Sequence, residues 1–320
     1  MSTVEATLKS EPIEQVIHQS ETKHSKPKLA VDERLDWGGS IPFFMVHVIG
    51  ILAIFTGISW AAVGMCVFMY YSRMFAITGA YHRYFSHRTY KTSRFFQFIL
   101  AFWGASCAQQ GPLWWAAHHR HHHKFSDTEQ DIHSAKLRGL WWSHVGWILC
   151  KRYAPTNEEA VKDLTKYPEL RWINKNHGVA PLILASSIFF FGVFLGHAFP
   201  GLHTNGLQML CWGFFTSTTI LYHGTFCINS LAHLLGSVRF KTGEESKNSL
   251  ILSIITMGEG WHNNHHRYPY SERQGIYWWE IDMSHYVLKV FSLFGLVWDI
   301  KLHPQEIYAE ARTGEKEIAV

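Results

Sequence analysis

From Trp37 to Ser72 the chain carries no Asp, Glu, Lys or Arg, and from Asn176 to Val238 it again carries none. A water-soluble domain would have to bury both runs completely, which is rare. Charged residues make up 17% of the chain, below the roughly 25% of ordinary soluble domains. The runs are therefore read as membrane-embedded. A span needs about 20 apolar residues to cross roughly 30 Å of hydrocarbon. The first block holds two spans, about 40–57 and 60–80, broken near Gly57–Ser59. The second holds two more, about 180–198 and 208–230, joined by FPGLHTNGL, whose Pro and Gly end helices. The expected architecture is all-α and integral to the membrane: four transmembrane helices in two hairpins, with a helical cap.

Charge fixes the expected orientation. Residues 83–175 hold 14 Lys and Arg, the first 36 residues hold 5 and the last 82 hold 9, whereas the two turns within the hairpins hold none. Under the positive-inside rule both termini and the central region face the cytoplasm. Only Arg73 falls inside a span, near an inner end from which it could snorkel. Residues 1–35 read as a flexible polar cytoplasmic tail, not a signal peptide, and 305–320 as a polar C-terminal tail. The stretch 95–108 is uncharged but is followed by Gln109, Gln110, Gly111 and Pro112, so it is expected to lie in the interface and not to cross. The five cysteines show no CxxC spacing, which argues against a disulfide framework. A net charge of +4 is too small and dispersed for nucleic acid.

The chain has 22 histidines, and their spacing carries the functional signal. HRYFSH at 82–87 begins where the second span ends. HHRHHH occupies 118–123, Asn229 and His233 stand at the inner end of the fourth span, and HNNHH occupies 262–266. An even number of spans separates them, so all reach one membrane face. His262, His265 and His266 stand at i, i+3 and i+4, one face of a helix. HHRHHH admits two such sets, His118, His121 and His122 or His119, His122 and His123. So many imidazoles suit two metals, and neutral imidazole suits Zn, Cu, Fe or Ni. Histidine-rich loops also sequester metal in transporters, but transporters keep ionisable ligands near the bilayer midplane, and these lie at helix ends. His47, His177, His203, His285 and His303 read as ordinary polar or interfacial residues. His133 and His144 are candidates for positions behind the ligands.

HRYFSHRTYK, HHRHHHKFSD, SHVGW at 143–147, NSLAH at 229–233 and GEGWHNNHHRYPY at 258–270 together resemble the membrane fatty acid desaturases, within them the Δ9 acyl-CoA (stearoyl-CoA-type) group, over about residues 37–300. The resemblance implies a cone of four spans under a cytosolic cap, with a desaturase domain over 36–304. It implies two iron ions, one held by His82, His87, His123 and His266 with Asn229 reaching it through water, the other by His119, His122, His233, His262 and His265. The family pattern His-Arg-x-His-His-Lys selects the register His119, His122, His123. No catalytic residue beyond the ligands is implied. Gln109 and Trp115 match positions at the thioester end of the substrate, and Tyr70 and Met74 on the second span are expected to close the acyl tunnel.

The implied enzyme is an oxidoreductase that uses O₂ and two electrons to place a cis double bond, expected at Δ9, in a long saturated acyl-CoA. Two departures bear on the carrier. Ala117 and His118 stand where the acyl-CoA enzymes of animals carry an Arg-Asp pair for the coenzyme A head group, and Phe226 stands where they carry Trp. A lipid-bound acyl chain is therefore the alternative substrate, and a membrane hydroxylase the alternative enzyme. Only 54 residues follow His266 and no His-Pro-Gly-Gly haem motif occurs, so a separate donor is expected, a cytochrome b5, a ferredoxin or a similar carrier.

Overall fold

The computed structural model describes residues 30–318, and these are mainly helical. Most of the expected N-terminal tail thus lies outside the described residues. Helix α1 (Trp37–Leu52) continues as a 3₁₀ turn to Thr56. Gly57, at φ +81°, breaks the chain, a conformation that side chains with a Cβ avoid. Helix α2 (Trp60–Phe75) begins at Ser59, whose Oγ accepts the Ala62 N–H at 3.2 Å, satisfying one orphan donor of the first turn.

Among the described residues three helical stretches are long and apolar enough to cross a membrane: Trp37–Thr56, Trp60–Ser86 and Val179–Ala198. Their outward faces carry large apolar side chains such as Met45, Phe55, Phe68, Leu182 and Phe194, as a lipid-facing surface requires.

The region expected as a fourth span is helical from Gly206 to Asn229, with a π-helical segment at Cys211–Thr216 in its middle. It is not among the three, because Gln208, Ser217, Thr218, Thr219, His223 and Thr225 dilute its apolar content. Ser217 and Thr218 meet a buried cation on α2. Arg73 does not snorkel: it is 1% exposed, and its guanidinium donates to Thr218 Oγ1 at 2.7 Å, Ser217 Oγ at 2.5 Å and the Met69 carbonyl at 3.2 Å. The hydroxyls on one helix answer the buried cation on the other.

The second helix runs past the expected end near residue 80, continuing as a π-helix over Ala76–Ser86. Helix α3 (Arg94–Ala105) has 12 residues, about 18 Å of rise, too short to cross. Helix α4 (Pro112–Phe125) opens on Pro112 at its first position, where a missing N–H does no harm. The short helix α5 (Leu140–His144), α6 (Val179–Ala198), α7 (Ser217–Asn229) and α8 (His262–Arg267) complete the elements that position the site. A two-stranded antiparallel ribbon pairs Lys91–Thr92 with Val297–Trp298.

The cap is tied to the end of α2 by buried charge. Arg83 lies among Glu259, Glu272 and Asp282, at 3.2, 3.1 and 2.9 Å. Gly258 has φ +120°, and a Cβ there would stand 2.3 Å from an Asp282 oxygen, so only glycine admits this approach. The segment expected as a polar C-terminal tail forms helix α9 (Gln305–Ile318), whose Ile307 and Ala311 are buried with Phe240 and Ile276.

Candidate metal centre

The first histidine cluster owes its geometry to the π-helix. In an α-helix residues five apart point in different directions, but i→i+5 bonding brings them onto one face. The His87 N–H donates to the His82 carbonyl at 3.2 Å, and the two rings lie 4.8 Å apart. The spacing of HRYFSH was legible, but not this conformation. The second cluster follows the α-helical rule, with His119, His122 and His123 on the inner face of α4. His118 and His121 point away, their ring nitrogens 2.9 Å from the Trp114 and Gln130 carbonyls respectively. His262, His265 and His266 share a face of α8. Asn229 and His233 are not on one helix: α7 ends at Asn229, and His233 sits in a separate 3₁₀ turn, Leu231–His233.

Nine histidines converge as two groups. His82, His87, His119, His123 and His265 bring one ring nitrogen each within 4.8 Å of one another, and so do His122, His233, His262 and His266. This division differs from the one the family resemblance implies, where His119 and His265 belong with the second set and His266 with the first. Asn229 borders both cavities that adjoin these rings.

The donor set fits metal ions. Nε2 of His82 lies 3.0 Å from Nε2 of His265, which lies 2.9 Å from Nε2 of His123. The Nε2 atoms of His87 and His119 are 2.8 Å apart, and those of His233 and His262 are 3.1 Å apart. A neutral imidazole has one N–H and one lone pair. Carboxylates claim several of the N–H groups on the far side: Glu259 is 2.6 Å from His82 Nδ1, Asp131 is 3.1 Å from His122 Nδ1 and Asp127 is 3.3 Å from His233 Nδ1. Those three protons therefore face outward, and the Nε2 lone pairs of His82, His122 and His233 face inward. His266 Nε2 is buried with no hydrogen bond among the described residues. Facing lone pairs and an orphaned nitrogen are what a bound cation relieves.

Protonation states agree. Burial, reinforced by neighbouring rings, pushes His87, His119, His123, His262, His265 and His266 well below the usual imidazole value. Burial alone would raise Asp131, but His122 and His133 hold it below the usual carboxylate range. Neutral imidazoles with ionised carboxylates behind them are the ligand state metals require.

Glu259, Asp131, Asp127 and Glu244, the last 3.6 Å from His266 Nδ1, were missed as functional residues. Glu259 and Asp127 lie inside the quoted motifs, so their proximity in sequence was a usable signal. His133, a candidate for such a place, stacks its ring 4.3 Å from that of His122. His144 is not among the residues facing the metal groups.

A cavity of about 580 Å³ adjoins the centre, within the usual size of ligand pockets. Its lining reaches from His119, Trp115 and Asn229 to Ser40 at the start of α1 and Pro181 at the start of α6. Trp115 stacks on His119 at 5.0 Å, and Gln109 donates to Thr225 Oγ1 at 3.0 Å. Both expected substrate residues thus line it, as do His118 and Phe226. Met74 instead borders a smaller cavity shared with His82 and His262, while Tyr70 borders neither and donates to the Ile255 carbonyl at 2.8 Å.

Residues 58–298 match the family model described as fatty acid desaturase. The chain is 34% identical over 288 residues to the sn-1 stearoyl-lipid 9-desaturase of Synechocystis sp., covering 89% of this chain and 85% of that one. It is 33% identical over 274 residues to the palmitoyl-monogalactosyldiacylglycerol delta-7 desaturase of Arabidopsis thaliana, covering 84% and 69%. It is 31% identical over 273 residues to the icosanoyl-CoA 5-desaturase of Limnanthes douglasii, covering 83% and 72%.

Proposed function

The chain belongs to the fatty acid desaturase family and is an oxidoreductase acting on fatty acyl chains, and on that premise we propose that it places a cis double bond at Δ9 of a long saturated chain, using two iron ions, O₂ and electrons from a separate donor protein. The observation that carries this reading is the meeting of nine inward-facing histidines with one end of a largely apolar cavity.

The irons would be held by His82, His87, His119, His122, His123, His233, His262, His265 and His266, with Asn229 reaching one of them through water. Bound iron would supply the activation of O₂ and the two-electron oxidation that removes two hydrogens from adjacent methylenes. The protein's own part is position. Methylenes along a chain are chemically alike, so selectivity comes from which of them the cavity walls hold beside the metals. Trp115, stacked on His119, is placed to bound the chain at that point. The carboxylates behind the rings keep the imidazoles neutral and aimed, and burial keeps water from the site.

The helical run 206–229 serves as the fourth span, packed against α1 and α2. With both hairpins closed on the far side, the metal centre and both termini lie on the cytoplasmic face, where soluble or membrane-bound electron carriers reach it.

The carrier is open to two readings. The motifs resemble the acyl-CoA enzymes. The cavity favours a lipid-bound acyl chain: among the described residues its lining includes Asp36 but no Lys or Arg, whereas the phosphates of coenzyme A call for cations. The neighbouring cations Lys151 and Arg152 face Asp36 at 4.0 Å and Asp32 at 3.6 Å. The cavity also meets the starts of α1 and α6, where a bilayer lipid could enter sideways. Iron-loaded protein in nanodiscs, supplied with a donor and either stearoyl-CoA or stearoyl-phospholipid, tests both points by mass spectrometry of the products. An alkene supports desaturation and an alcohol supports hydroxylation, and the carrier that is turned over decides between the two readings.

A further inference from the structure

Away from the metal centre, three histidines from three elements form a chain on the outer flank of α1 and α7. His47 Nε2 lies 3.2 Å from His223 Nε2, and His223 Nδ1 lies 3.0 Å from His144 Nε2. His47 Nδ1 is 2.7 Å from the Phe43 carbonyl oxygen. At the other end His144 Nδ1 is 2.8 Å from Ser230 Oγ, which is 2.8 Å from the Phe226 carbonyl oxygen. Sequence alone gave His47 an ordinary polar role and His144 a place behind the iron ligands.

Proton counting shows what this chain lacks. It has five polar contacts, and each needs one hydrogen. Three neutral imidazoles and one hydroxyl supply four. Both ends are carbonyls, which only accept, so whichever tautomers are chosen one contact is left with facing lone pairs. Let His47 donate to Phe43, Ser230 to Phe226, His144 to Ser230 and His223 to His144. Every contact is then satisfied except the Nε2 pair of His47 and His223. Those two atoms are 3.2 Å apart, close to the ~3.3 Å edge of a tetrahedron with 2.0–2.1 Å metal–nitrogen bonds.

We propose that His47 and His223 bind a divalent cation of the Zn²⁺ or Cu²⁺ class through Nε2, with His144 as the outer partner that orients His223. Each ligand's other nitrogen already has an acceptor, the support that metal-binding imidazoles normally carry. His223 is exposed, so protein does not block the ion's remaining coordination positions. The ion would tie α1 to α7 and, through His144, to the cap. Phe43, Tyr222 and Phe226 from the same two helices line the large cavity, so an occupied site would stiffen one of its walls. The site is separate from the iron ligands and does not depend on which acyl carrier is used.

The test is Zn²⁺ titration of iron-loaded protein against a chromophoric chelator, with iron measured in the same samples. Wild type should take up one Zn²⁺ beyond its iron sites. His47→Gln and His223→Gln should lose that ion at unchanged iron content, and His144→Ala should weaken it about 10–100-fold. Equal Zn²⁺ binding in wild type and the Gln variants would overturn the proposal, as would no binding in wild type, which would assign the contact to a proton. If a variant also loses iron, Cu²⁺ added to wild type decides: hyperfine coupling to two imidazole nitrogens supports the site, and its absence refutes it.

Discussion

A carboxylate oxygen of Glu259 stands 2.6 Å from Nδ1 of His82, and Arg83, the next residue, holds the other oxygen of the same carboxylate at 3.2 Å. One acid thus aims a histidine of the first group and anchors the helix that carries it. Gln274 adds a third bond, donating to Glu259 at 2.6 Å. Glu259→Ala should weaken iron binding about 10–100-fold, the usual effect of removing such a partner, with a matching loss of activity at limiting iron. Metal content after dialysis against graded chelator measures it, and wild-type retention would mean that packing alone orients His82.

The register of the second cluster gives a sharper contrast. His119→Ala, His122→Ala and His123→Ala should each abolish desaturation and lower bound iron. His118→Ala and His121→Ala should keep both irons, because their rings face backbone carbonyls away from the centre. Iron analysis of the five variants checks this. Loss of iron in His118→Ala with retention in His119→Ala would reverse the ligand assignment on α4.

Chain length should respond to Met74. Its side chain borders the small cavity beside His82, and a Cβ on Gly224 would lie 2.9 Å from its Cε and 2.7 Å from Tyr70 Oη. Met74→Ala should shift products toward longer chains, at a stability loss of about 2–5 kcal/mol. Gly224→Ala should shift them toward shorter chains by crowding the same space. Gas chromatography of the products reads both, and an unchanged profile in Met74→Ala and Tyr70→Ala would remove these residues from the tunnel.

Acid should destabilise the metal-free protein. The imidazoles of His119, His123 and His265 are held well below their usual value of about 6.5 by burial. Below that pH the unfolded chain binds protons that the folded chain refuses, so folding stability falls as pH drops and is flat above it. Melting temperatures of chelator-treated protein between pH 8 and pH 5.5 should show this slope. Protons also compete with metal for the same nitrogens, so loaded protein should release iron over the same range.

The convergence of the histidines was legible because helices repeat, so spacings of three and four residues name a face before any fold is known. The three helices long and apolar enough to cross a membrane were legible because a long apolar run has few other uses. Glu259, Asp131 and Asp127 were not read as partners of the rings, since an acid in a polar segment looks like a solvated one until tertiary structure closes over it. The pairing of Arg73 with Ser217 and Thr218 was hidden for the same reason: the cation and its acceptors lie on helices far apart in sequence. The π-helix at Ala76–Ser86 left no signature in residue type, although the five-residue interval between His82 and His87 makes sense only with it.

The central claim is tested most directly by expressing the chain in a desaturase-deficient host and analysing total fatty acids by gas chromatography and mass spectrometry. Wild type should yield cis-monounsaturated chains, and His262→Ala, expressed to the same level, should yield none. Hydroxylated chains in place of alkenes, or equal unsaturation with wild type and His262→Ala, would contradict the account.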